Sequence, residues 1–195
     1  MYKFDEGAEA TTYLDELFGV EVIIKIRAEK RYRVVELDEK LRIFRTKREA
    51  KILAILQKAM LPVPELIAVG KYTIIMKKLD GVLLRDIDQK ITFMKDIGKV
   101  VKKMHENGVV HGDLTPANIM IKENKPSIID FGLGEITKSP EERAIDILLF
   151  KRSLNKKEFS AFLQAYSENN KDYSNTLIKL QEIEKRGRYQ IRTLI

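Results

Sequence analysis

Cysteine and tryptophan are both absent from the 195-residue sequence, and histidine occurs only twice. Without cysteine the chain forms no disulfide, offers no thiol nucleophile and cannot ligate zinc through sulfur, a composition typical of intracellular proteins. No apolar run approaches the roughly 18 residues that a membrane-spanning helix needs, and the first residues lack the apolar stretch of a signal peptide. We therefore expect a cytoplasmic protein that does not enter a membrane.

Positive charge is what the sequence has in excess. Its formal net charge is +7, its calculated isoelectric point is about 9.4, and 44% of its residues are hydrophobic. A chain of this length and composition can build a core as one domain or two small lobes. A basic surface favours anionic partners such as nucleic acid or an acidic protein. The alternative, that the charge serves solubility alone, stays open.

Two short motifs carry the candidate chemistry, one at residues 111–118 (HGDLTPAN) and one at residues 130–132 (DFG). Asp113 can accept a hydroxyl proton, whereas Asn118 and Asp130 can hold magnesium against the phosphates of a nucleotide. Two short β-prone runs joined by a polar turn lie between the motifs, and a hairpin there would let both side chains reach one metal ion. This arrangement resembles the catalytic and metal-binding core of the protein kinase superfamily.

The N-terminal segment, residues 1–28, predicts β-structure. Kinases cover the nucleotide phosphates with a glycine-rich loop between their first two strands, and the matching segment here is Gly7, Ala8, Glu9 and Ala10. It has a single glycine, but small side chains still allow a close backbone approach to phosphate. By the same resemblance, Lys25 on the following strand would neutralise the α- and β-phosphates. The alternative is a lysine on the solvent side of an edge strand.

Lys25 should pair with a glutamate on the next helix. Glu49 is the candidate because it precedes Ile52 and Leu53 by three and four residues, which places it on the buried-facing side of a helix. Glu36 and Glu39 are rivals in a more irregular segment. We interpret residues 28–48 as an insertion crowded with lysine and arginine, which is either an RNA-facing surface or a solvated face.

A proline-containing break at residues 61–64 precedes two predicted strands, residues 66–70 and 73–79. The kinase resemblance makes Met76 the gatekeeper of the adenine pocket and assigns adenine binding to the backbone of Lys77 to Leu79. Asp80-Gly81 would then be the hinge, with an N-lobe at residues 1–79 and a C-lobe at residues 80–195.

The C-terminal part predicts helices. An apolar stripe from Phe93 to Met104 is followed by Asn107-Gly108 as a C-cap. Ser139 as N-cap and Pro140 at the first position begin a further helix. Residues 156–167 and 173–185 show helical periodicity, and we expect Gly187 to end the last helix.

Two polar residues of the C-terminal part are predicted to support the catalytic motif. We expect His111 to brace the catalytic loop rather than to react. By resemblance, Asp146 would anchor the loop's backbone. Gly112 stands where regulated kinases carry arginine, and only seven residues separate Gly132 from Pro140. Neither feature favours control through a phosphorylated activation loop.

Several stretches together resemble one small family, the atypical kinase subunit of the KEOPS (EKC) complex, which is related to the p53-related protein kinase. The stretches are residues 7–10, 24–27, 30–33, 37–42, 45–50, 110–115, 129–134 and 186–188. RIO kinases share a similar catalytic loop but typically lack the Phe-Gly that follows the metal-binding aspartate. Phe131-Gly132 therefore argues against them.

This resemblance implies an α+β, minimal bilobal protein-kinase-like fold with a β-rich N-lobe and a reduced helical C-lobe. It implies an atypical serine/threonine kinase and ATPase that uses ATP with Mg²⁺ or Mn²⁺. The implied partners are the threonylcarbamoyltransferase subunit, in some archaea fused in one chain, other KEOPS subunits, and tRNA through the complex.

The implied role is to support and regulate threonylcarbamoyl transfer to adenosine 37 of tRNA. The alternative is a free-standing serine/threonine or RIO-like kinase with its own protein substrates. The basic tail would contact a partner subunit or tRNA through Lys185, Arg186, Arg188 and Arg192.

Overall fold

The structure, a computed structural model, describes residues 2–7, 10–30 and 32–192, and the side chains at positions 5, 6 and 187–192 lie outside that description. Its N-terminal part begins with three strands and continues with a long helix and two more strands. In chain order these are β1 (Tyr2–Glu6), β2 (Thr11–Leu17), β3 (Val20–Ile26), α1 (Val35–Lys58), β4 (Leu66–Val69) and β5 (Thr73–Lys77).

These five strands form one antiparallel sheet in the order β1-β2-β3-β5-β4. The central strand, β3, consists mainly of valine and isoleucine, which suit a pleated, half-buried surface. On it, Lys25 lies opposite Thr12 of β2 and Ile74 of β5 and is only 7% exposed. Lys25 is therefore buried on a central strand, which rules out the alternative of a solvent-facing lysine on an edge strand.

Helix α1 packs its apolar side against the rest of the protein. Ile52, Leu53 and Leu56 are buried on α1 at the three- and four-residue spacing of one helix face. Glu49 lies one turn earlier and is only 2% exposed. The prediction that Glu49 is on the buried-facing side of the helix is confirmed.

The interpretation of residues 28–48 as an irregular insertion is wrong, because α1 already begins at Val35. This part of the helix lacks an apolar stripe and is fixed by charge instead. Asp38 is buried and accepts from Nε of Arg42, one turn later, at 2.6 Å. The Arg42 guanidinium in turn stacks on the ring of Tyr72 at 4.1 Å. Hydrophobic periodicity could not detect a helix held in this way.

The described C-terminal part, up to residue 192, contains short strands, three short 3₁₀ helices and four α-helices. In chain order these are β6 (Val82–Leu83), α2 (Met94–Glu106), β7 (Val109–Val110), β8 (Ile119–Lys122), β9 (Lys125–Ile128), β10 (Glu135–Ile136), α3 (Pro140–Arg152), α4 (Lys156–Ser167) and α5 (Tyr173–Arg192). Strands β8 and β9 form the predicted hairpin, with β6 paired to β8. Ser139 caps α3 by accepting from the backbone N–H of Glu142.

The prediction that Gly187 ends the last helix is wrong, because α5 continues through it to Arg192. A glycine inside a helix costs only about 1 kcal/mol relative to alanine. Its neighbours in α5, lysine and arginine, are good helix formers. The predicted contacts of Arg188 and Arg192 concern side chains outside the described part of the chain.

The centre of the C-terminal part is the crossing of α2 and α4. Phe150, Phe162 and Tyr166 are fully buried there, with Phe162 edge-on to Phe150 and stacked on Tyr166. Gly98 of α2 lies directly against α4, because a Cβ at Gly98 would be 2.5 Å from the carbonyl oxygen of Phe162. The absence of a side chain at this position lets the two helices approach closely.

The α+β class is confirmed: a sheet with one helix precedes a helical part. The predicted lobe boundary between residues 79 and 80 stays a prediction. Within residues 2–7, 10–30 and 32–192, no helix combines the length and apolar character needed to cross a membrane.

We predict that Gly98→Ala destabilises the protein. Helix propensity alone would favour alanine by about 1 kcal/mol, but overpacking against the backbone of α4 costs about 1–3 kcal/mol. The melting temperature should fall by a few degrees, about 2–4 °C per kcal/mol for a chain of this size. Thermal unfolding followed by circular dichroism measures it, with the exposed Lys95→Ala on the same helix as the control. A rise in melting temperature for Gly98→Ala would contradict the tight crossing.

Candidate active site

A cavity lies between the N-terminal sheet and the β8–β9 hairpin. Its walls include six of the residues predicted from sequence, and these are Lys25, Glu49, Met76, Lys77, Leu79 and Asp130. Apolar side chains of Ile23 and Met120 complete two of its walls. The cavity thus has an apolar part near β5 and a charged part near Lys25, which suits a ligand with a flat apolar ring and a charged tail.

Lys25 forms the charged end of this cavity. Its Nζ lies 2.7 Å from Oε1 of Glu49 and 2.7 Å from Oδ1 of Asp130. The side chains of Lys25 and Glu49 are 9% and 1% exposed, whereas that of Asp130 is 57% exposed. The ion pair that was predicted between Lys25 and Glu49 is therefore present, and Asp130 joins it from the cavity side.

The neighbouring charges also shift the pKa values of Lys25 and Asp130. Burial acts to lower the pKa of Lys25, but the nearby carboxylates of Glu49 and Asp130 outweigh it and raise the pKa above its ordinary value. Burial acts to raise the pKa of Asp130, but Lys25 and the backbone N–H of Gly132 hold it below its ordinary value. Both side chains are therefore charged at neutral pH.

Asp113 and Asn118 contact each other, and neither is among the described residues that line the cavity. The Asn118 amide nitrogen donates to the backbone oxygen of Asp113 at 2.8 Å and to its Oδ2 at 3.0 Å. Its two N–H groups are thereby engaged, so its amide oxygen is the atom available to a cation. The backbone N–H of Ile129 donates to the carbonyl of Asn118 at 2.9 Å, which holds Asn118 and Asp130 at the same end of the hairpin.

Asp130 has an unusual backbone conformation, with φ of +60° in a residue other than glycine. Such a conformation costs free energy and is kept where the surrounding structure requires it, most often at functional sites. Here it accompanies a carboxylate whose Oδ1 accepts from both Lys25 and the N–H of Gly132. The second oxygen, Oδ2, is then available to a cation.

A buried carboxylate, that of Asp146, fixes the backbone of the predicted catalytic loop, residues 111–118. Asp146 accepts the backbone N–H of His111 through Oδ2 at 2.6 Å and that of Gly112 through Oδ1 at 2.8 Å. Nε2 of His105 lies 3.1 Å from the same Oδ2, and Nδ1 of His105 lies 2.9 Å from the hydroxyl of Tyr166. The predicted contact of Asp146 with the loop backbone is present.

His111 connects the loop to the hairpin, as predicted. Its Nε2 donates to the carbonyl of Ile129 at 2.9 Å, and its Nδ1 accepts from the backbone N–H of Asp113 at 3.2 Å. Both ring nitrogens are occupied, so this histidine fixes the backbone of Asp113 and is not placed to exchange protons with a ligand.

Gly112 has no room for a side chain. Its φ is +77°, and a Cβ there would overlap the backbone carbonyl of Leu133. The arginine that regulated kinases carry at this position could not be accommodated without moving the segment that follows Gly132. The expectation that control through this arginine is absent therefore has a steric basis.

The segment predicted to bind adenine, Lys77 to Leu79, contributes a backbone donor to the cavity. The N–H groups of Lys77 and Lys78 are engaged, with Glu65 at 2.8 Å and Glu21 at 3.0 Å. No residue of the described part of the chain accepts from the N–H of Leu79. The described structure therefore leaves this donor to a ligand in the apolar part of the cavity.

The predicted phosphate loop is described only in part. Gly7 and Ala10 close a turn through an N–H to carbonyl contact of 3.0 Å, and Ala10 is buried. Ala8 and Glu9 lie outside the described residues. Thr12, immediately after the loop, lines the cavity.

The residues fit a metal ion that arrives with a nucleotide. The described residues contain no group of three or more histidine, aspartate or glutamate side chains that could hold a metal alone. Asp130 lines the cavity, and Asn118 lies at the same end of the β8–β9 hairpin. Magnesium is often held by one or two such oxygen ligands plus substrate phosphates.

Sequence reasoning missed one buried charge beside this site. Arg27 was part of a recognised stretch but received no role, and its Nη2 lies 2.6 Å from Oε2 of Glu49. A signal existed: residues two apart on a strand share a face, so Arg27 had to lie beside Lys25. The apolar wall residues, such as Met120 and Ile129, carried no signal because nothing local separates them from other core residues.

Comparison with known proteins identifies related chains. The family model described as RIO1: RIO domain matches residues 22–154. A "probable bifunctional tRNA threonylcarbamoyladenosine biosynthesis protein" of Methanosphaera stadtmanae is 44% identical over 95% of this chain, which spans only 36% of that relative. The "KEOPS complex subunit Bud32" of Pyrococcus abyssi is 34% identical, and 97% of each chain is covered.

The Rio2 kinase of Chaetomium thermophilum, solved as an ADP/Mg²⁺-phosphoaspartate complex, is 18% identical to this chain. It superposes with a TM-score of 0.67 over 95% of this chain and 70% of its own. The kinase-like fold is thereby confirmed. The RIO-domain match spans Phe131-Gly132, so these two residues do not exclude the RIO-domain family. The preference for the KEOPS subunit over the RIO kinases is confirmed by the relatives named above.

We predict that Asp146→Asn destabilises the protein in a pH-dependent manner. Asparagine would place an amide N–H₂ against donors that now meet a carboxylate, and the free energy of unfolding should fall by about 3 kcal/mol at about pH 7. Burial acts to raise the pKa of Asp146, but its bonds to His105 and the loop backbone hold it below the ordinary value of 3.8. This stabilisation is therefore present above about pH 3.8 and is lost as the pH falls further.

Urea unfolding of wild type and Asp146→Asn across this pH range measures the difference. The gap between them should shrink below about pH 3.8. The control is Asp96→Asn, which changes an exposed carboxylate. A gap that is equally large at the acid end would show that the charge of Asp146 is not what stabilises the loop.

Proposed function

The chain belongs to the RIO-domain family and, within it, to the Bud32 kinases, and on this premise we propose that it is an ATP-dependent kinase and ATPase subunit of a KEOPS-type assembly. The observation that carries the proposal is the cavity in which Lys25, Glu49 and Asp130 form one ion-pair cluster, with Asp113 and Asn118 in contact just before the hairpin that leads to Asp130. In such an assembly the chain would support threonylcarbamoyl transfer to adenosine 37 of tRNA.

The apolar part of the cavity would bind adenine. Ile23 and Met120 line it as flat apolar walls, and Met76 closes its end as the gatekeeper. The N–H of Leu79 is the backbone donor available to a ring nitrogen, with the carbonyl of Lys77 as the matching acceptor. This arrangement orients the ring so that the phosphates extend toward Lys25.

The charged part would bind the phosphates. Lys25 supplies a fixed positive charge there, because its pKa is raised and Glu49 fixes its position. Asn118 and Asp130 would hold Mg²⁺, or Mn²⁺ in its place, through the amide oxygen and the second carboxylate oxygen. The bound ion would neutralise phosphate charge and so favour transfer of the terminal phosphoryl group.

Asp113 is placed to act on the attacking group. Its carboxylate is held by the Asn118 amide at 3.0 Å, and its backbone is fixed by His111. It is exposed and can orient or deprotonate a hydroxyl or a water molecule. Attack by water would give ATP hydrolysis, and attack by a serine or threonine hydroxyl would give protein phosphorylation.

The KEOPS role is favoured over a free-standing protein kinase. The related chains named above include a subunit of that complex and a bifunctional protein of tRNA threonylcarbamoyladenosine biosynthesis. The short connection from Gly132 to α3 also leaves little surface on which a kinase docks peptides, because only β10 intervenes. The transferase subunit, either separate or fused to this chain, is the proposed partner, with tRNA bound through the assembly.

We predict that Lys25→Ala and Asp113→Ala separate binding from turnover. Removing the charge-assisted contact of Lys25 with a phosphate should weaken ATP binding by about 10- to 100-fold, since such contacts contribute about 1.5–3 kcal/mol. Removing Asp113 should leave ATP binding nearly unchanged and lower turnover by about 10²–10⁴-fold. Isothermal titration calorimetry and phosphate release measure the two effects. The opposite pattern would show that the two roles are misassigned.

We also predict that turnover depends on the assembly. Phosphate release by the chain mixed with its transferase subunit and tRNA should exceed that of the chain alone, and Asp130→Asn should abolish it while the complex still forms. Lys95→Ala, which changes an exposed lysine of α2, is the matched control. Rapid phosphorylation of many unrelated peptides by the isolated chain, without any effect of the partners, would favour the free-standing kinase.

A further inference from the structure

Arg27 is a second buried cation behind Lys25. It lies just beyond the end of β3, two residues after Lys25, and is only 3% exposed. Its backbone N–H donates to the carbonyl of Tyr72 at 2.9 Å, which continues the pairing of the sheet. Buried arginines are uncommon unless they are paired, because removing the charge from water is costly.

The Glu49 carboxylate is divided between the two cations. Oε1 lies 2.7 Å from Nζ of Lys25, and Oε2 lies 2.6 Å from Nη2 of Arg27. With Asp130 the cluster contains two positive and two negative charges. Lys25, Arg27 and Glu49 are buried and together carry a net charge of +1, so the cluster is neutral only with the more exposed Asp130 included.

Two of Arg27's donors are left unsatisfied. Nε and Nη1 are buried and meet no hydrogen-bond partner in the described part of the chain. Unpaired buried donors are costly, and a simple structural ion pair would be expected to use the whole guanidinium. The single bond to Glu49 indicates that Arg27 is present for its charge at that carboxylate more than for a hydrogen-bond network.

We propose that Arg27 is a positioning residue that acts as the permanent countercharge of Glu49, and so leaves the charge of Lys25 to the nucleotide phosphates. This role rests on the proposed function of the cavity as an ATP site. If Lys25 were the only cation beside Glu49, the whole carboxylate would pair with Lys25 and would compete with the phosphates for its ammonium group. With Arg27 in place, Glu49 can orient Lys25 without cancelling its charge.

The proposal makes the effect of Arg27 conditional on Glu49. Arg27→Met removes the countercharge and should weaken binding of ATP about tenfold or more, while Arg27→Lys should retain most of the affinity. In the Glu49→Gln background there is no carboxylate to balance. There, adding Arg27→Met should change the affinity by less than about twofold. A role in packing alone would cost the same affinity in both backgrounds.

Calorimetric titration measures the affinity of the nucleotide-free protein for ATP, first with a chelator and then with magnesium. The proteins compared are wild type, Arg27→Met, Arg27→Lys, Glu49→Gln and the double variant. Thermal unfolding without nucleotide shows which variants are folded. If Arg27→Met alone does not fold, the comparison of Glu49→Gln with the double variant decides. A similar affinity in these two supports the proposal, and an additional loss of about tenfold in the double variant overturns it.

Two further outcomes distinguish a failure of the proposed role of Arg27 from a failure of the proposed ATP site. If wild type binds ATP and Lys25→Ala weakens that binding, but folded Arg27→Met binds as tightly as wild type, only the role of Arg27 is overturned. If wild type does not bind ATP at all, the proposed nucleotide site fails, and the role of Arg27 fails with it.

Discussion

The ion pair between Lys25 and Glu49 is the contact on which the rest of the site depends. It joins the central strand of the sheet to α1, and through Asp130 it also joins both to the hairpin of the C-terminal part. Charges buried to this degree remain ionised only when each meets its opposite. The sheet, the helix and the hairpin must therefore all be in place before the cluster is satisfied, so its geometry reports on the assembly of the whole site.

A second buried carboxylate fixes the catalytic loop in the same way. Asp146 accepts two backbone N–H groups from the loop and lies against His105, and it lines no part of the cavity. The two clusters have different roles. The cluster of Lys25 with Glu49 and Asp130 sets the charge offered to a ligand, and the cluster around Asp146 holds the backbone that carries Asp113. In each cluster nearby donors hold the pKa of one carboxyl, Asp130 or Asp146, below its ordinary value.

Much of this site could be predicted from sequence because its spacing is local. Asn118 and Asp130 flank a short hairpin, and Glu49 shares a helix face with Ile52. The turn signal and the helix periodicity were therefore sufficient to place these side chains, whereas their roles came from the kinase resemblance. The start of α1 was missed because the ion pair of Asp38 with Arg42 replaces an apolar stripe there. Arg27 was missed although it lies two residues after Lys25 and so shares its face, because the sequence does not show that this face is buried. Gly187 was misread because the good helix formers around it offset its low propensity.

The most direct test of the account is a crystal structure of the chain with a non-hydrolysable ATP analogue and Mn²⁺, in which anomalous scattering locates the manganese ion. The account predicts a manganese peak about 2.2 Å from a side-chain oxygen of both Asn118 and Asp130, near the coordination distance of hard divalent cations. It also predicts that Lys25 lies on a phosphate oxygen while Glu49 still contacts both Lys25 and Arg27. A nucleotide bound elsewhere, or bound in the cavity with manganese on neither residue, would contradict it.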